Sequence, residues 1–179
     1  MVKLKYHLAE EEYFNFNYYT SWASPDKKGY RMRYYSRVFL LYAAVAVLYI
    51  LANHESQLLI DFAVFGAIGL VYFLLIPLLV RKSVRRRVKE VLSEENNKHI
   101  LEESEITLDD NGITDKDTVS ESRYNWEAII RKIETTDSYY LYTNSYHAIV
   151  IPKRAISNSY DRQELERMMN RHLSLSAEF

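Results

Sequence analysis

The 179-residue chain has no cysteine, only four glycines and only three prolines. Without cysteine there is no disulfide framework, no thiolate nucleophile and no cysteine-based zinc site. The redox compartment stays open, because many intracellular proteins also have few cysteines. So few glycines make a phosphate-cradling loop hard to build, and no serine sits in a G-x-S-x-G setting. Net charge is nearly absent too: 23 basic and 24 acidic residues leave −1, so no global field points to nucleic acid. The length excludes a large multidomain enzyme. A mean hydropathy of −0.29 with 26% charged residues reads, as an average, like an ordinary soluble domain.

The distribution of residues contradicts that average. Val38 to Ala52 reads VFLLYAAVAVLYILA, without a charge or a strongly polar group. Extended back to Tyr34, the run is about 28 Å of helix at 1.5 Å per residue. A second run, Leu58 to Val80, is about 34 Å long with Asp61 its only charge. Both lengths suit a hydrocarbon core of roughly 30 Å. Two adjacent runs this apolar exceed what the core of a small soluble protein can cover. They predict a transmembrane helical hairpin.

The flanks predict its orientation. Lys27, Lys28, Arg31, Arg33 and Arg37 precede the first run, and Arg81, Lys82, Arg85, Arg86, Arg87 and Lys89 follow the second. The connecting loop has no Lys or Arg, only His54 and Glu55. This asymmetry places both termini in the cytoplasm. Trp22, Tyr30, Tyr34 and Tyr35 stand where amphipathic rings favour the interface. No apolar stretch opens the chain, so the first run is expected to be an uncleaved anchor rather than a signal peptide. Gly66 and Gly69, with Ala63 and Ala67, offer a small-residue face for helix packing. Asp61 lies only three residues into the second run, where an outer-interface position explains it without a proton or ion pathway.

The remaining chain divides around the hairpin. Val2, Leu4, Tyr6 and Leu8 alternate with Lys3, Lys5 and His7, the period of a half-buried strand that must pair with the later region. Ala9 to Trp22 opens with three acids and places Phe14, Tyr18 and Trp22 on one helical stripe, predicting a helix packed on a sheet. Residues 24–29 read as a linker. After residue 97 the composition turns to β. Asp109-Asp110-Asn111-Gly112 predicts a hairpin with Asn-Gly supplying positive φ, and Tyr139–Tyr142 pairs with Ala148–Ile151 through Thr143-Asn144-Ser145. Asp161 and Glu164 have capping-box spacing ahead of a helix lined by Leu165, Met168, Met169, His172 and Leu173.

The expected class is therefore an α+β membrane protein: two transmembrane helices in a hairpin plus a cytoplasmic antiparallel β-roll closed by a C-terminal helix. Its expected divisions are 1–33 (strand and helix packing on the later domain), 34–52 (first span), 53–57 (external loop), 58–80 (second span), 81–97 (basic-to-acidic juxtamembrane helix) and 98–179 (cytoplasmic domain).

Several segments carry a family resemblance: the opening KLKYHLAEEEYFNFNYY, the paired spans, LDDNGI, the Tyr124–Trp126 stretch and, most of all, IVIPKRAI from Ile149 to Ile156. Together they resemble the YcxB-like family of small bacterial membrane proteins across nearly the full chain. The resemblance implies a pleckstrin-homology-like cytoplasmic domain and a bacterial inner-membrane location. It supplies no reaction and no ligand.

The residues themselves point to no catalytic, cofactor-binding or metal site, and no cofactor is expected. His7, His54, His99, His147 and His172 form no H-E-x-x-H and no dependable ligand spacing. Glu94-Glu95 and Glu102-Glu103 read as solvated charge rather than acid–base pairs. The strongest interaction signal is basic: Arg81, Lys82, Arg85, Arg86, Arg87 and Lys89, with Arg31, Arg33 and Arg37, mark the membrane surface and topology. Residues 90–179 carry a net charge of −8, which argues against that domain lying flat on anionic lipid. Trp126, Tyr139, Tyr140, Tyr142 and Tyr146 are the candidate contact surface, although alternating members must also fill a core. The expected partners are the lipid bilayer and a protein partner or a second copy, with no nucleic acid. The expected role is a membrane-anchored protein-interaction module. The alternative is a membrane sensor or immunity-type accessory factor acting on envelope events.

Overall fold

The computed structural model describes residues 1–53, 57–156 and 158–173, so His54 and Glu55 of the expected loop lie outside the described residues. The chain is α+β and divides into two compact units. One comprises residues 1–20 with 86–179, the other residues 21–85.

In the first unit, strand β1 (Val2–His7) is followed by helix α1 (Glu10–Tyr18). The later strands are β2 (Glu103–Asp109), β3 (Gly112–Lys116), β4 (Glu121–Tyr124), β5 (Arg131–Glu134), β6 (Ser138–Tyr142) and β7 (Ala148–Pro152), closed by helix α4 (Ser159–Leu173). They form two antiparallel sheets, β1-β2-β3-β4 and β5-β6-β7. Strand β1 pairs along its whole length with β2, Val2 opposite Leu108 and Leu4 opposite Ile106. Its alternation buries Val2, Leu4 and Tyr6 and leaves Lys3 and Lys5 outward, where both reach Glu105, at 2.6 and 3.2 Å. The first four-stranded sheet is thus completed by a strand that precedes the apolar helices in the chain.

One core holds Leu4, Ile106, Leu108 and Ile113 from the first sheet, Leu141, Ile149 and Ile151 from the second, and Leu165, Met168 and Met169 from α4. A smaller cluster lies on the other face of the second sheet, where Phe16 of α1 meets Tyr140, Tyr142, Ala148 and Val150. Every residue of β6 and β7 is therefore buried.

Local geometry departs from the sequence expectations at several ends. Helix α1 stops at Tyr18 and a π-helical turn follows, Tyr19–Ala23. The residue that packs on the sheet is Phe16, whereas Phe14 stacks on Tyr18 at 6.0 Å and Trp22 belongs to the other unit. In the β2–β3 turn only Gly112 has positive φ (+153°); Asn111 does not, because the Asp109 carboxylate accepts the N–H groups of Asn111 (2.7 Å) and Gly112 (3.0 Å) and shapes the turn instead. Helix α4 is capped by Asn158, whose Oδ1 accepts the Asp161 N–H at 2.7 Å while its amide donates to the Asp161 carboxylate at 2.9 Å. Asn158, rather than Asp161, is thus the N-cap, and its second bond to Asp161 joins two side chains instead of completing a capping box.

The second unit is a pair of long apolar helices, α2 (Lys28–Ala52) and α3 (Leu58–Ser93), the latter continuing into the first unit. Residues 24–29 are no free linker: Ser24 is buried, Pro25–Lys27 makes a 3-10 turn, and α2 begins directly after it. Helix α3 passes Pro77 and runs unbroken to Ser93, so the expected juxtamembrane segment 81–97 is the end of one helix followed by a separate 3-10 helix, Glu95–Leu101. Asn97 ends α3 by donating its side-chain amide to the Val91 carbonyl at 3.0 Å. The two helices meet through rings: Tyr35 on Phe73 at 6.0 Å and Tyr49 on Phe65 at 5.3 Å. Tyr42 donates its hydroxyl to the Phe65 carbonyl at 2.6 Å. Gly69 makes this approach possible, since an added Cβ would lie 3.0 Å from the Tyr42 ring; Gly66 faces open space and contributes no such contact.

Candidate functional site

The residues singled out from sequence fall into two groups. Arg81, Lys82, Arg86, Arg87 and Lys89 are exposed along the second half of α3, with Arg85 half-buried. Arg33 and Arg37 are exposed on α2, while Arg31 turns back to donate to the carbonyls of Trp22 and of Ser24, the latter at 2.8 Å. The aromatic set is a correction. Trp126, Tyr139, Tyr140 and Tyr142 are all buried, and only Tyr146 is exposed, at 72%. Both faces of β6 are covered, one by the main core and the other by α1, so its tyrosines cannot alternate between core and surface. Their hydroxyls are used internally: Tyr139 donates to Glu166 at 2.9 Å, and Tyr142 shares a 2.7 Å hydrogen bond with Thr20. Burial pushes both Tyr139 and Tyr140 up to about 12. The Trp126 indole stacks flat on His172, ring centres 4.8 Å apart, and donates to the Asp109 carbonyl.

What the first unit offers instead is a cleft of about 370 Å³ where α1, the ends of the first sheet and the β6–β7 loop converge. Its floor is aromatic and apolar, from Tyr6, Phe16 and Val150; its polar groups are Asp115, Asp117, His99 and His147, with Tyr146 at the exposed side. Asp115 arises from strand alternation. It lies two residues after Ile113 on the same face of β3 and pairs with the buried Ile106, so a carboxylate stands in an apolar row. Burial, then the charge of Asp117, holds the Asp115 carboxyl above the ordinary range, opposed by His147. For Asp117 burial works in the same direction but is outweighed: the backbone N–H groups of Val119 (2.7 Å) and Ser120 (2.5 Å) hold it below that range. Two neighbouring carboxyls are thereby driven apart.

The cleft depends on the arm formed by β1 and α1, and that arm is fastened by Arg154. Its guanidinium donates to both carboxylate oxygens of Glu12, at 2.7 and 2.8 Å, and to the His7 carbonyl at 2.6 Å. Glu12 in turn accepts the Ala9 N–H at 2.8 Å, starting α1. Tyr6 adds a hydroxyl bond to the Val150 carbonyl, joining β1 to the second sheet, and burial lifts its phenol far above the usual value. Sequence reading missed Asp115, Asp117 and Arg154. The acid breaking the Ile113 face of β3 was the available signal for the first; nothing local announces an ion pair 142 residues apart.

Chemically, the site pairs carboxylates and imidazoles with aromatic walls, which suits reception of a cationic group. Among the described residues no group of three or more His, Asp or Glu side chains is placed to hold a metal ion.

The class these observations define is an α+β protein with two long apolar helices and two antiparallel sheets. Residues 108–169 match the model of a family described as YcxB-like protein. The match begins at the end of β2 and reaches into α4, so it includes the β2–β3 turn, Trp126 and the IVIPKRAI segment with Arg154; the arm and the two apolar helices lie outside it. No curated protein and no solved structure matches the chain.

Proposed function

We propose that this is an integral protein of a bacterial inner membrane, with both termini cytoplasmic, in which a two-span hairpin displays a pleckstrin-homology-like domain that binds a protein partner or a second copy of the chain. The observation that carries the reading is the exposure of the helical unit. Leu40, Leu41, Leu48, Leu51, Phe62, Leu70 and Leu74 are each more than 60% exposed, and the most apolar stretch of the first helix has no buried residue. Water does not tolerate such a surface on two adjacent helices; a hydrocarbon core does. The bases at the far ends of both helices, with none in the loop, support the orientation. Sheets of four and three antiparallel strands with a closing helix support the pleckstrin-homology-like reading. The role is binding rather than catalysis, and the cleft around Asp115 and Asp117 is where a cationic segment of the partner docks.

A photo-crosslinking residue at Tyr146, in the full chain in native membranes, tests this. The expected result is a membrane-pelleted chain that forms a discrete adduct, lost when Asp115→Asn and Asp117→Asn are introduced together. A chain recovered in the soluble fraction, or only as monomer, overturns the reading.

A sensor or immunity-type accessory factor is the second reading, favoured by Asp61. Its Oδ2 is shielded from solvent and makes no hydrogen bond among the described residues. Cells lacking the protein would then be sensitised to envelope stress or competitor toxins, and Asp61→Asn would fail to restore resistance.

A further inference from the structure

The helical unit contains a second cleft, of about 400 Å³. One wall is a fixed aromatic stack. Trp22 is only 7% exposed, with Tyr34 edge-on at 5.6 Å and Tyr30 edge-on at 6.2 Å. Arg31 holds the turn in front of α2 by donating to the carbonyls of Trp22 and Ser24, so the indole is positioned by the backbone as well as by its neighbours. The opposite wall is Leu79, Val80 and Val84 of α3, with the exposed Ser83 at its rim.

The place of this cleft along the helices decides its occupant. Val80 is the last residue of the apolar run and Arg81 the first base after it; on the other helix Arg33 and Arg37 flank Tyr34, and the uncharged run opens one turn later at Val38. The cleft therefore straddles the level where both helices change from apolar to cationic. Between residues 21 and 37 the only acid is Asp26, and residues 81–85 contain none. A ligand that fits must carry a hydrocarbon part beside Leu79 and Tyr34 and, at the Ser83 rim, a negative group that the bases next to Ser83 in the sequence, Arg81 and Lys82, would favour. An aromatic ring set with basic flanks between two membrane helices is the setting in which lipid headgroups are held.

We infer that this cleft binds one anionic phospholipid of the cytoplasmic leaflet, its phosphate at Ser83 and the adjoining bases and its acyl chain against the Trp22–Tyr34 wall. The inference rests on the membrane reading proposed above. It assigns the basic flank a specific lipid contact beyond its part in setting topology.

The test uses Trp22 as its own reporter. The full chain is reconstituted in phosphatidylcholine vesicles containing either brominated phosphatidylglycerol or brominated phosphatidylcholine at equal mole fraction. Tryptophan quenching by the anionic lipid should exceed that by the zwitterionic lipid by roughly twofold or more, and the excess should fall with added salt. It should vanish in Trp22→Phe, which leaves Trp126 as the emitter, and shrink in Ser83→Asp, an exposed position where the new charge opposes a phosphate. Equal quenching by the two lipids overturns the proposal and leaves the membrane reading standing, as ordinary boundary lipid. Absence of quenching by either lipid overturns both. An excess that survives Ser83→Asp and added salt unchanged removes the phosphate from this cleft and overturns the proposal as well.

Discussion

Leucine behaves oppositely in the two units. Leu141 and Leu165 are wholly buried between sheets and helix, whereas Leu70 and Leu74 on α3 are 64% and 68% exposed. Tyrosine divides in the same way: Tyr139 and Tyr142 spend their hydroxyls on Glu166 and Thr20, while Tyr42 uses its own to reach across to a backbone carbonyl of the neighbouring helix. The α+β unit makes its own apolar environment, whereas the apolar side chains of the helical unit stay exposed. Averaged over the chain the two cancel, which is why mean hydropathy carries so little information here.

The sharpest way to break this contrast is the same substitution in both units. Leu141→Ala should cost about 2–5 kcal/mol, through lost burial and the cavity left behind. Leu70→Ala, with no packed shell around it, should change unfolding in detergent by less than about 0.5 kcal/mol. Comparable losses at the two sites, measured by thermal or denaturant unfolding of the full chain, would mean that α3 is packed by protein and not by lipid. A similar contrast holds for glycine, one step smaller. Gly112 has a φ that L side chains rarely adopt, and a Cβ there would lie 2.2 Å from the Tyr124 carbonyl oxygen; Gly66 has nothing within 4 Å. Gly112→Ala should therefore cost roughly 1–3 kcal/mol, and Gly66→Ala should be neutral or slightly stabilising, because alanine is the better helix former.

How far the sequence discloses the structure follows the same division. The helical unit is nearly explicit, because hydrophobic runs need no tertiary context to be recognised. In the α+β unit, period-two alternation announced β1 and the apolar stripe announced α4. The aromatic positions of β6 misled because alternation implies one covered face, and here α1 covers the second. A helix packed on a sheet was expected, but the residue that makes the contact was not, since Phe16 lies outside the stripe formed by Phe14, Tyr18 and Trp22. The cleft was less legible still. Asp115 is visible only as an acid on the apolar face of β3, two residues after Ile113, and Arg154 acquires its role only when residues far apart in sequence meet.

Arg154 tests whether the arm is truly part of the α+β unit. The pair with Glu12 has one well-shielded partner, Glu12 at 13% side-chain exposure, and one half-exposed partner, Arg154 at 54%. Solvent screening therefore limits the effect of Arg154→Ala to about 1 kcal/mol. The loss should be local: amide exchange in Val2–His7 and Glu10–Tyr18 should accelerate, with protection in α2 and α3 unchanged. Uniform acceleration in both units would mean that the arm is fastened by the whole molecule rather than by this contact.

The smallest expected effect concerns pH and separates two kinds of carboxylate within the α+β unit. Glu105 is held below the ordinary glutamate range by hydrogen bonds from Lys3 and Lys5, and Glu166 by the Tyr139 hydroxyl and then Arg162. Each favours folding above the unfolded-state value, and that contribution is lost as pH falls through the lowered folded-state value. Asp115 has the opposite sign. Its carboxyl is raised by burial and by Asp117, so the folded chain holds this proton more tightly than the unfolded chain does. Its contribution is fully present below the unfolded-state value and is lost as pH rises through the raised folded-state value. Asp115→Asn imitates the protonated form at every pH. It should raise the melting temperature slightly at neutral pH, and the gap from the parent should close as the solution is acidified through the range just above ordinary aspartate. A gap of constant size across that range, or a variant less stable than the parent at neutral pH, would show that the Asp115 carboxylate is stabilised by the cleft rather than penalised for being there.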